Sequence, residues 1–198
     1  TNWNELLGLF ANPSQTDLKI KEFQAYDDPC FTCEYAKDIP SKIKTLKEKN
    51  KKFLEELPES HTLEETFHLV HGSPRAPVFE YILDSYVATL NFANFSTDYC
   101  FVGHSHIPSV FYLKENATHS ILDIPKIREV ELQPRMIINP GSIGQPRDRN
   151  PYSSYILLDT EKNILDFRRS SYNIEKTQEK MVLQNLPSKH ISRLKHGI

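Results

Sequence analysis

The stretch Gly103-His104-Ser105-His106 follows directly on the apolar run Tyr99-Cys100-Phe101-Val102. A second apolar run upstream, Phe67-His68-Leu69-Val70, ends at His71-Gly72-Ser73-Pro74. Ligands of open α/β sheets gather outside the carboxyl ends of the strands, so we expect these histidines to meet at one sheet edge. Two histidines one residue apart share a face in a strand, or can reach two ions from a turn. Because imidazole binds zinc, iron and nickel, the pattern points to metal-assisted hydrolysis.

The spacing of apolar residues predicts an α/β fold around these two runs. Strands are expected over 67–71 and 99–103, joined by a helix over 77–95. The later segments with strand character, separated by turn residues, are 109–113, 120–124, 127–132, 136–138, 153–159 and 164–169. A parallel pair joined by a helix and followed by mostly antiparallel strands predicts a layered α/β sandwich.

The flanking regions are predicted to be helical. Residues 41–57 are rich in Lys and Glu, carry a helical apolar stripe, and lie between Pro40 and Pro58. The segment 174–194 is also predicted to be helical, with an interruption at Pro187. We expect one domain over 1–198, comprising a mostly helical variable segment (1–65), a sheet core (66–172) and carboxyl-terminal helices (173–198).

Composition excludes several classes of protein. The chain has 198 residues, 38% of them hydrophobic, which is enough for a globular core. A formal net charge of −2 gives no electrostatic support for nucleic acid as a partner. No apolar run is long enough to span a bilayer, and the first residues do not resemble a signal peptide. We therefore expect a cytoplasmic protein without a membrane partner, and oligomeric state stays open.

Three motifs follow one another along the chain: His71-Gly72-Ser73-Pro74, Gly103-His104-Ser105-His106-Ile107-Pro108 and Asn139-Pro140-Gly141-Ser142-Ile143-Gly144-Gln145-Pro146-Arg147. In this order they resemble the carboxyl-terminal motifs of calcineurin-like metallophosphoesterases. The small prokaryotic phosphodiesterase branch is the most similar. The resemblance covers about Phe67 to Tyr172. It implies a four-layer α/β/β/α sandwich, of which this chain would form the carboxyl-terminal portion, with a two-metal site at one edge.

The resemblance also implies roles for individual residues. His71 and His104 would bind one divalent ion and His106 the other, in a site that hydrolyses phosphodiesters or phosphomonoesters with a metal-activated water. Manganese, iron, nickel and zinc all suit such ligands. Arg147, and secondarily Arg75, are candidates for contacting the substrate phosphate, because a guanidinium matches its geometry. The alternative for either arginine is a surface salt bridge.

The sequence departs from the family in its first half. The family's Asp-x-His, Gly-Asp-x-x-Asp and Gly-Asn-His-Asp/Glu motifs are absent, since none of the six glycines is followed by Asp or Asn. These motifs would supply the bridging carboxylate, further ligands and the acid histidine, so no catalytic residue is assigned. We expect the chain to be the carboxyl-terminal part of a longer enzyme, with the amino-terminal half as its partner. Alone, it should bind metal weakly and hydrolyse little.

Two other functions fit the same motifs. The chain could be a catalytically inactive member of the family that serves as a protein-interaction module. The absence of the other metal ligands and the charged helix predicted over 41–57 both fit this alternative. A mononuclear zinc hydrolase built from His71, His104 and His106 is also chemically workable. For the enzyme, the expected substrate is a phosphate-ester small molecule or a phosphoprotein.

Overall fold

The computed structural model describes residues 48–114, 117–123 and 128–198. Contacts divide the chain into two compact units, 1–58 and 59–198. Within the first unit, helix α1 (Glu48–Glu55) lies inside the helix predicted over 41–57, while residues 41–47 of that prediction fall outside the described residues. Most of the segment predicted to be helical over 1–65 likewise falls outside them.

The second unit contains nine described strands and three α-helices. The order along the chain is β1 (Ser60–Leu63), β2 (Phe67–Val70), α2 (Ser85–Asn91), β3 (Tyr99–Phe101), β4 (Ser109–Tyr112), β5 (Ile121–Asp123), β6 (Glu129–Glu131), β7 (Met136–Asn139), β8 (Ser153–Asp159), β9 (Ile164–Ser170), α3 (Ile174–Leu183) and α4 (Ser188–His196). A 3₁₀ turn, Phe92–Asn94, follows α2.

Strand β1 corrects the helical prediction for the end of the 1–65 segment. It pairs antiparallel with β2, from Ser60 opposite Val70 to Leu63 opposite Phe67. Glu64 and Glu65 both adopt positive φ, 52° and 54°, and so reverse the chain between the two strands. This left-handed turn is what converts the segment into a hairpin.

Two sheets form the centre of the unit. The larger sheet has the order β1-β2-β3-β7-β4-β5, in which β2, β3 and β7 run parallel and the other pairs antiparallel. The smaller sheet has the order β6-β9-β8 and is antiparallel throughout. The predicted α/β class is confirmed, including the parallel β2–β3 pair.

The side chains of β7 explain why the fold is layered. Ile137 and Ile138 are both fully buried, although neighbouring residues of a strand face opposite sides. Ile137 packs with Ala88 of α2 in one core cluster, and Ile138 packs with Ile156 and Leu165 of the smaller sheet in another. Burying such a side chain stabilises the fold by about 1.5–3 kcal/mol. The larger sheet is therefore covered by a helix on one face and a sheet on the other.

The helix predicted over 77–95 was wrong in its first half. α2 begins at Ser85, because the carboxylate of Asp84 caps it by accepting a hydrogen bond from the Val87 N–H at 2.9 Å. The side chains of Tyr86 and Leu90 in α2 are 68% and 38% exposed. Residues 77–84 instead form turns and irregular structure that return to the end of β2.

No helix within the described ranges is long and apolar enough to cross a membrane.

Candidate metal centre

His104 and His106 lie in the loop that follows β3, and both have φ = 60°. This left-handed conformation is uncommon for residues other than glycine and costs about 1–2 kcal/mol at each position. Both side chains are nevertheless buried, at 4% and 6% exposure. Strained backbone that holds buried imidazoles in place is typical of ligand-binding sites.

His71 and His104 come together across the parallel β2–β3 pair. The Nε2 atom of His71 lies 3.0 Å from Nδ1 of His104, although the two residues are 33 positions apart. The Gly103 N–H donates to the His71 carbonyl at 2.8 Å and fixes the two loops side by side. Two nitrogen ligands about 2.1 Å from one ion, at an angle of about 90–110°, lie roughly 3.0–3.4 Å apart. The spacing of these two nitrogens therefore fits a shared ion.

His106 is oriented by a different loop. Its Nδ1 atom lies 2.7 Å from the backbone carbonyl oxygen of Gln145. A carbonyl oxygen only accepts, so Nδ1 is the donor, and in the neutral imidazole Nε2 then carries the lone pair. Metal-binding histidines commonly donate their second N–H to a backbone carbonyl in this manner. This contact suits His106 as an Nε2 ligand.

The turn after β7 supports both histidine loops. The Asn139 amide nitrogen donates to the Ser105 hydroxyl at 2.9 Å and to the Gly103 carbonyl at 2.8 Å. The Asn139 side-chain oxygen accepts from the Gly141 N–H at 2.9 Å. Gly141 has φ = 86°, and a Cβ there would lie 2.6 Å from the Ser154 hydroxyl oxygen. Asn139 thus closes its own turn while positioning the loop that carries the ligands.

The two arginine candidates have different surroundings. The Arg147 N–H donates to the His106 carbonyl at 3.2 Å, which places this residue next to the site. The Arg147 guanidinium donates to the side-chain oxygen of Gln145 at 2.8 and 3.2 Å. The Arg75 guanidinium forms an ion pair with Glu80 on the surface. For both arginines, contact with substrate phosphate stays a prediction.

Two other histidines lie apart from this group. The His68 ring stacks on Phe95 with a centroid distance of 6.4 Å, and partial burial lowers its pKa. His119 is exposed beside Thr118.

Sequence reasoning missed Tyr81, whose ring stacks on His104 at 4.0 Å. It also missed Glu80, which accepts from Ser73 in the turn after His71. In the sequence these two residues lie shortly after the histidine turn, which was the one feature that could have suggested a role in the site. The helix predicted over this segment did not indicate that they fold back toward the histidines.

The nitrogen donors present suit a transition metal, but they do not complete a shell. Among the residues that the structure describes, no group of three or more His, Cys, Asp or Glu side chains is placed to hold an ion. A stable zinc-like site has about four ligands. The three histidines by themselves do not make up such a set of ligands, and their role as metal ligands stays a prediction.

Known proteins resemble this chain in sequence and in fold. The family profile of the calcineurin-like phosphoesterase superfamily domain matches residues 25–163. The protein MJ0912 of Methanocaldococcus jannaschii is 34% identical over 148 residues, covering 73% of this chain and 58% of that protein. A metallophosphoesterase from Sphaerobacter thermophilus matches with a TM-score of 0.72 and 35% identity, covering 78% of this chain and 64% of that chain.

A more distant structural match is the hypothetical protein PH1004 of Pyrococcus horikoshii OT3. It has a TM-score of 0.56 and 17% identity, covering 89% of this chain and 70% of that chain, and it shows the fold alone. This chain spans less than two thirds of the length of MJ0912 and of the Sphaerobacter protein.

Proposed function

This chain belongs to the calcineurin-like phosphoesterase superfamily, and from that premise we propose that it supplies the carboxyl-terminal ligands of a metal-dependent phosphoesterase. The observation that carries the proposal is the 3.0 Å approach of His71 Nε2 to His104 Nδ1. When bound, two divalent ions would activate a water molecule and stabilise charge on the phosphoryl oxygens during hydrolysis of a phosphodiester or phosphomonoester.

Each residue has a distinct task in this proposal. His71 and His104 hold one ion through the nitrogens that face each other. His106 would hold the second ion through Nε2, since its Nδ1–H donates a hydrogen bond to the backbone carbonyl of Gln145. Arg147, beside His106, orients the substrate phosphate through its planar guanidinium. Manganese, iron, nickel and zinc all remain suitable ions.

The remaining ligands must be carboxylates or histidines from elsewhere. The full sequence contains no Gly-Asp or Gly-Asn pair of the family type. We propose that the amino-terminal half of the same enzyme supplies them and packs beside the histidine loops. The substrate would be a phosphate-ester small molecule or a phosphoprotein, and the cytoplasm stays the predicted compartment.

Replacing His104 with alanine tests the assignment. In the protein with its complementary amino-terminal half, we expect His104→Ala to abolish manganese-dependent hydrolysis of bis(p-nitrophenyl) phosphate and to lower bound metal measured by mass spectrometry. The matched control is His119→Ala, which removes an exposed histidine. Retained activity in His104→Ala would refute the proposal. The 198-residue chain alone should hydrolyse little with or without metal.

A protein-interaction module is the second candidate. The observation that favours it is that no carboxylate joins the histidines within the described ranges. The interaction module and the enzyme differ in whether they need the histidine ligands. An interaction module would bind its partner equally well after His104→Ala, whereas the enzyme would lose both metal and activity. The mononuclear zinc site of His71, His104 and His106 has no such support, because no group of three such side chains within the described ranges is placed to hold one ion.

A further inference from the structure

The segment that follows His71 folds back on itself. The Gly72 N–H donates to the Pro77 carbonyl at 2.6 Å, and the Ser73 N–H donates to the Ala76 carbonyl at 3.3 Å. A Cβ at Gly72 would lie 2.9 Å from the Ala76 carbonyl oxygen. The turn after His71 is therefore closed tightly against residues 76–80, and its conformation depends on what holds those residues.

Glu80 holds this turn through three donors. Its carboxylate accepts from the Ser73 hydroxyl at 2.6 Å and from the Asn91 amide at 2.8 Å, and it pairs with Arg75. Ser73 and Asn91 have no exposed surface. Asn91 in addition accepts from the Arg75 N–H at 3.0 Å. Because the buried Ser73 and Asn91 both donate to the Glu80 carboxylate, Glu80 ties the turn to the end of α2.

Tyr81, the next residue, contacts His104 directly. Its ring stacks on the His104 imidazole with a centroid distance of 4.0 Å and an interplanar angle of 27°. His71 approaches the same imidazole edge-on, at 4.8 Å and 62°. The lone pairs of an imidazole lie in the ring plane, so stacking on its face restricts rotation without covering the nitrogens. The geometry of Tyr81 therefore orients His104 and leaves it able to bind.

We propose that Glu80 and Tyr81 are positioning residues for the metal centre, with Glu80 fixing the turn of His71 and Tyr81 fixing the imidazole of His104. Because the two residues are consecutive, a single short segment sets the ligands from two different strands. This rests on the proposed metal-binding role of His71 and His104. It predicts that the 3.0 Å spacing between their nitrogens is maintained before any metal arrives.

The test compares variants of Tyr81 in the 198-residue chain. We expect Tyr81→Leu to lower zinc affinity about tenfold in a competition titration with a chromophoric chelator, the scale typical for residues that orient ligands. Tyr81→Phe keeps the stacked ring and should stay within about twofold of the unmodified protein. Tyr152→Ala, which removes an aromatic that is 46% exposed and lies outside the 71–81 segment, is the control for nonspecific loss.

A second readout needs no metal. In ¹⁵N-histidine NMR of the metal-free chain, Tyr81→Leu should shift and broaden the ring resonances of His104, and Glu80→Gln should shift those of His71. Tyr81→Phe should leave them in place. Tyr81→Met, which keeps volume without a flat ring, replaces Tyr81→Leu if the latter does not fold.

The results of these experiments distinguish the positioning role of Glu80 and Tyr81 from the proposed metal-dependent function. Unchanged resonances and unchanged zinc affinity in Tyr81→Leu and Glu80→Gln would overturn the positioning role. If the unmodified chain binds no zinc while Tyr81→Leu still shifts His104, the metal function fails and the positioning of the imidazole stands. Loss of affinity in Tyr81→Phe equal to that in Tyr81→Leu would also overturn the role assigned to stacking.

Discussion

Asn139, the last residue of β7, donates a hydrogen bond from its side-chain amide to the carbonyl oxygen of Gly103 at 2.8 Å. The bond joins the carboxyl ends of two adjacent parallel strands, at the point where the ligand loop begins. The histidines thus follow directly on β2 and β3, and the buried side chain of Asn139, at the end of the neighbouring strand β7, sets the path of the loop after β3.

Asn139→Ala should destabilise the protein by about 2–3 kcal/mol. The substitution removes three hydrogen bonds and leaves the Gly103 carbonyl and the Ser105 hydroxyl without their amide donor. The measurement is the free energy of unfolding in urea. Asn94→Ala, at an exposed position, is the control and should change it by about 0.5 kcal/mol or less. Equal effects from the two substitutions would contradict the role of Asn139.

The sequence could predict the parts of this site that depend on short apolar runs. Strands β2 and β3 were recognisable because the strands of a parallel sheet are mostly apolar, with His68 as the exception in β2, and because a histidine motif follows each of them. The irregular path of residues 77–84 could not be predicted, because the apolar residues there also fit the pattern of a helix. The cap formed by Asp84 is what shows where α2 begins. The contact of Tyr81 with His104 depends on that irregular path, so no local pattern reports it.

Stability should fall in acid through Glu80. Partial burial opposes its charged form, but hydrogen bonds from Arg75, Asn91 and Ser73 outweigh that effect and lower the pKa from 4.5 to about 2. The folded state therefore binds fewer protons than the unfolded state between these values. The resulting stabilisation is present above pH 4.5 and is lost as the pH falls toward about 2.

The measurement is urea unfolding of the unmodified protein and of Glu80→Gln between about pH 2 and 7. We expect the unmodified protein to be more stable by on the order of 2–3 kcal/mol at neutral pH, with the difference shrinking in acid. A difference that is the same at every pH would show that the charge of Glu80 contributes nothing.

Gly141→Ala should destabilise the protein by about 2–4 kcal/mol. The position has φ = 86°, and the new Cβ would lie 2.6 Å from the Ser154 hydroxyl oxygen and 2.8 Å from the Pro108 Cγ atom. Left-handed strain and overpacking both contribute. Gly103→Ala is the matched control, since its Cβ would lie 3.4 Å from the nearest atom, the His71 carbonyl oxygen. Thermal unfolding of both variants measures the difference, and a larger loss in Gly103→Ala would contradict it.

Metal should stabilise the protein more when the His71–His104 pair is intact. An ion that binds the folded state alone adds about 2.7 kcal/mol to the free energy of unfolding at a hundredfold excess over its Kd. We expect zinc or manganese to raise the Tm of the unmodified protein and of His119→Ala, and a chelator to reverse the effect. In His71→Ala the rise should be smaller, because His104 then lacks the nitrogen that lies 3.0 Å from its own Nδ1, while His106 is unchanged. An undiminished rise in His71→Ala would place the bound ion elsewhere and would exclude this histidine as a ligand.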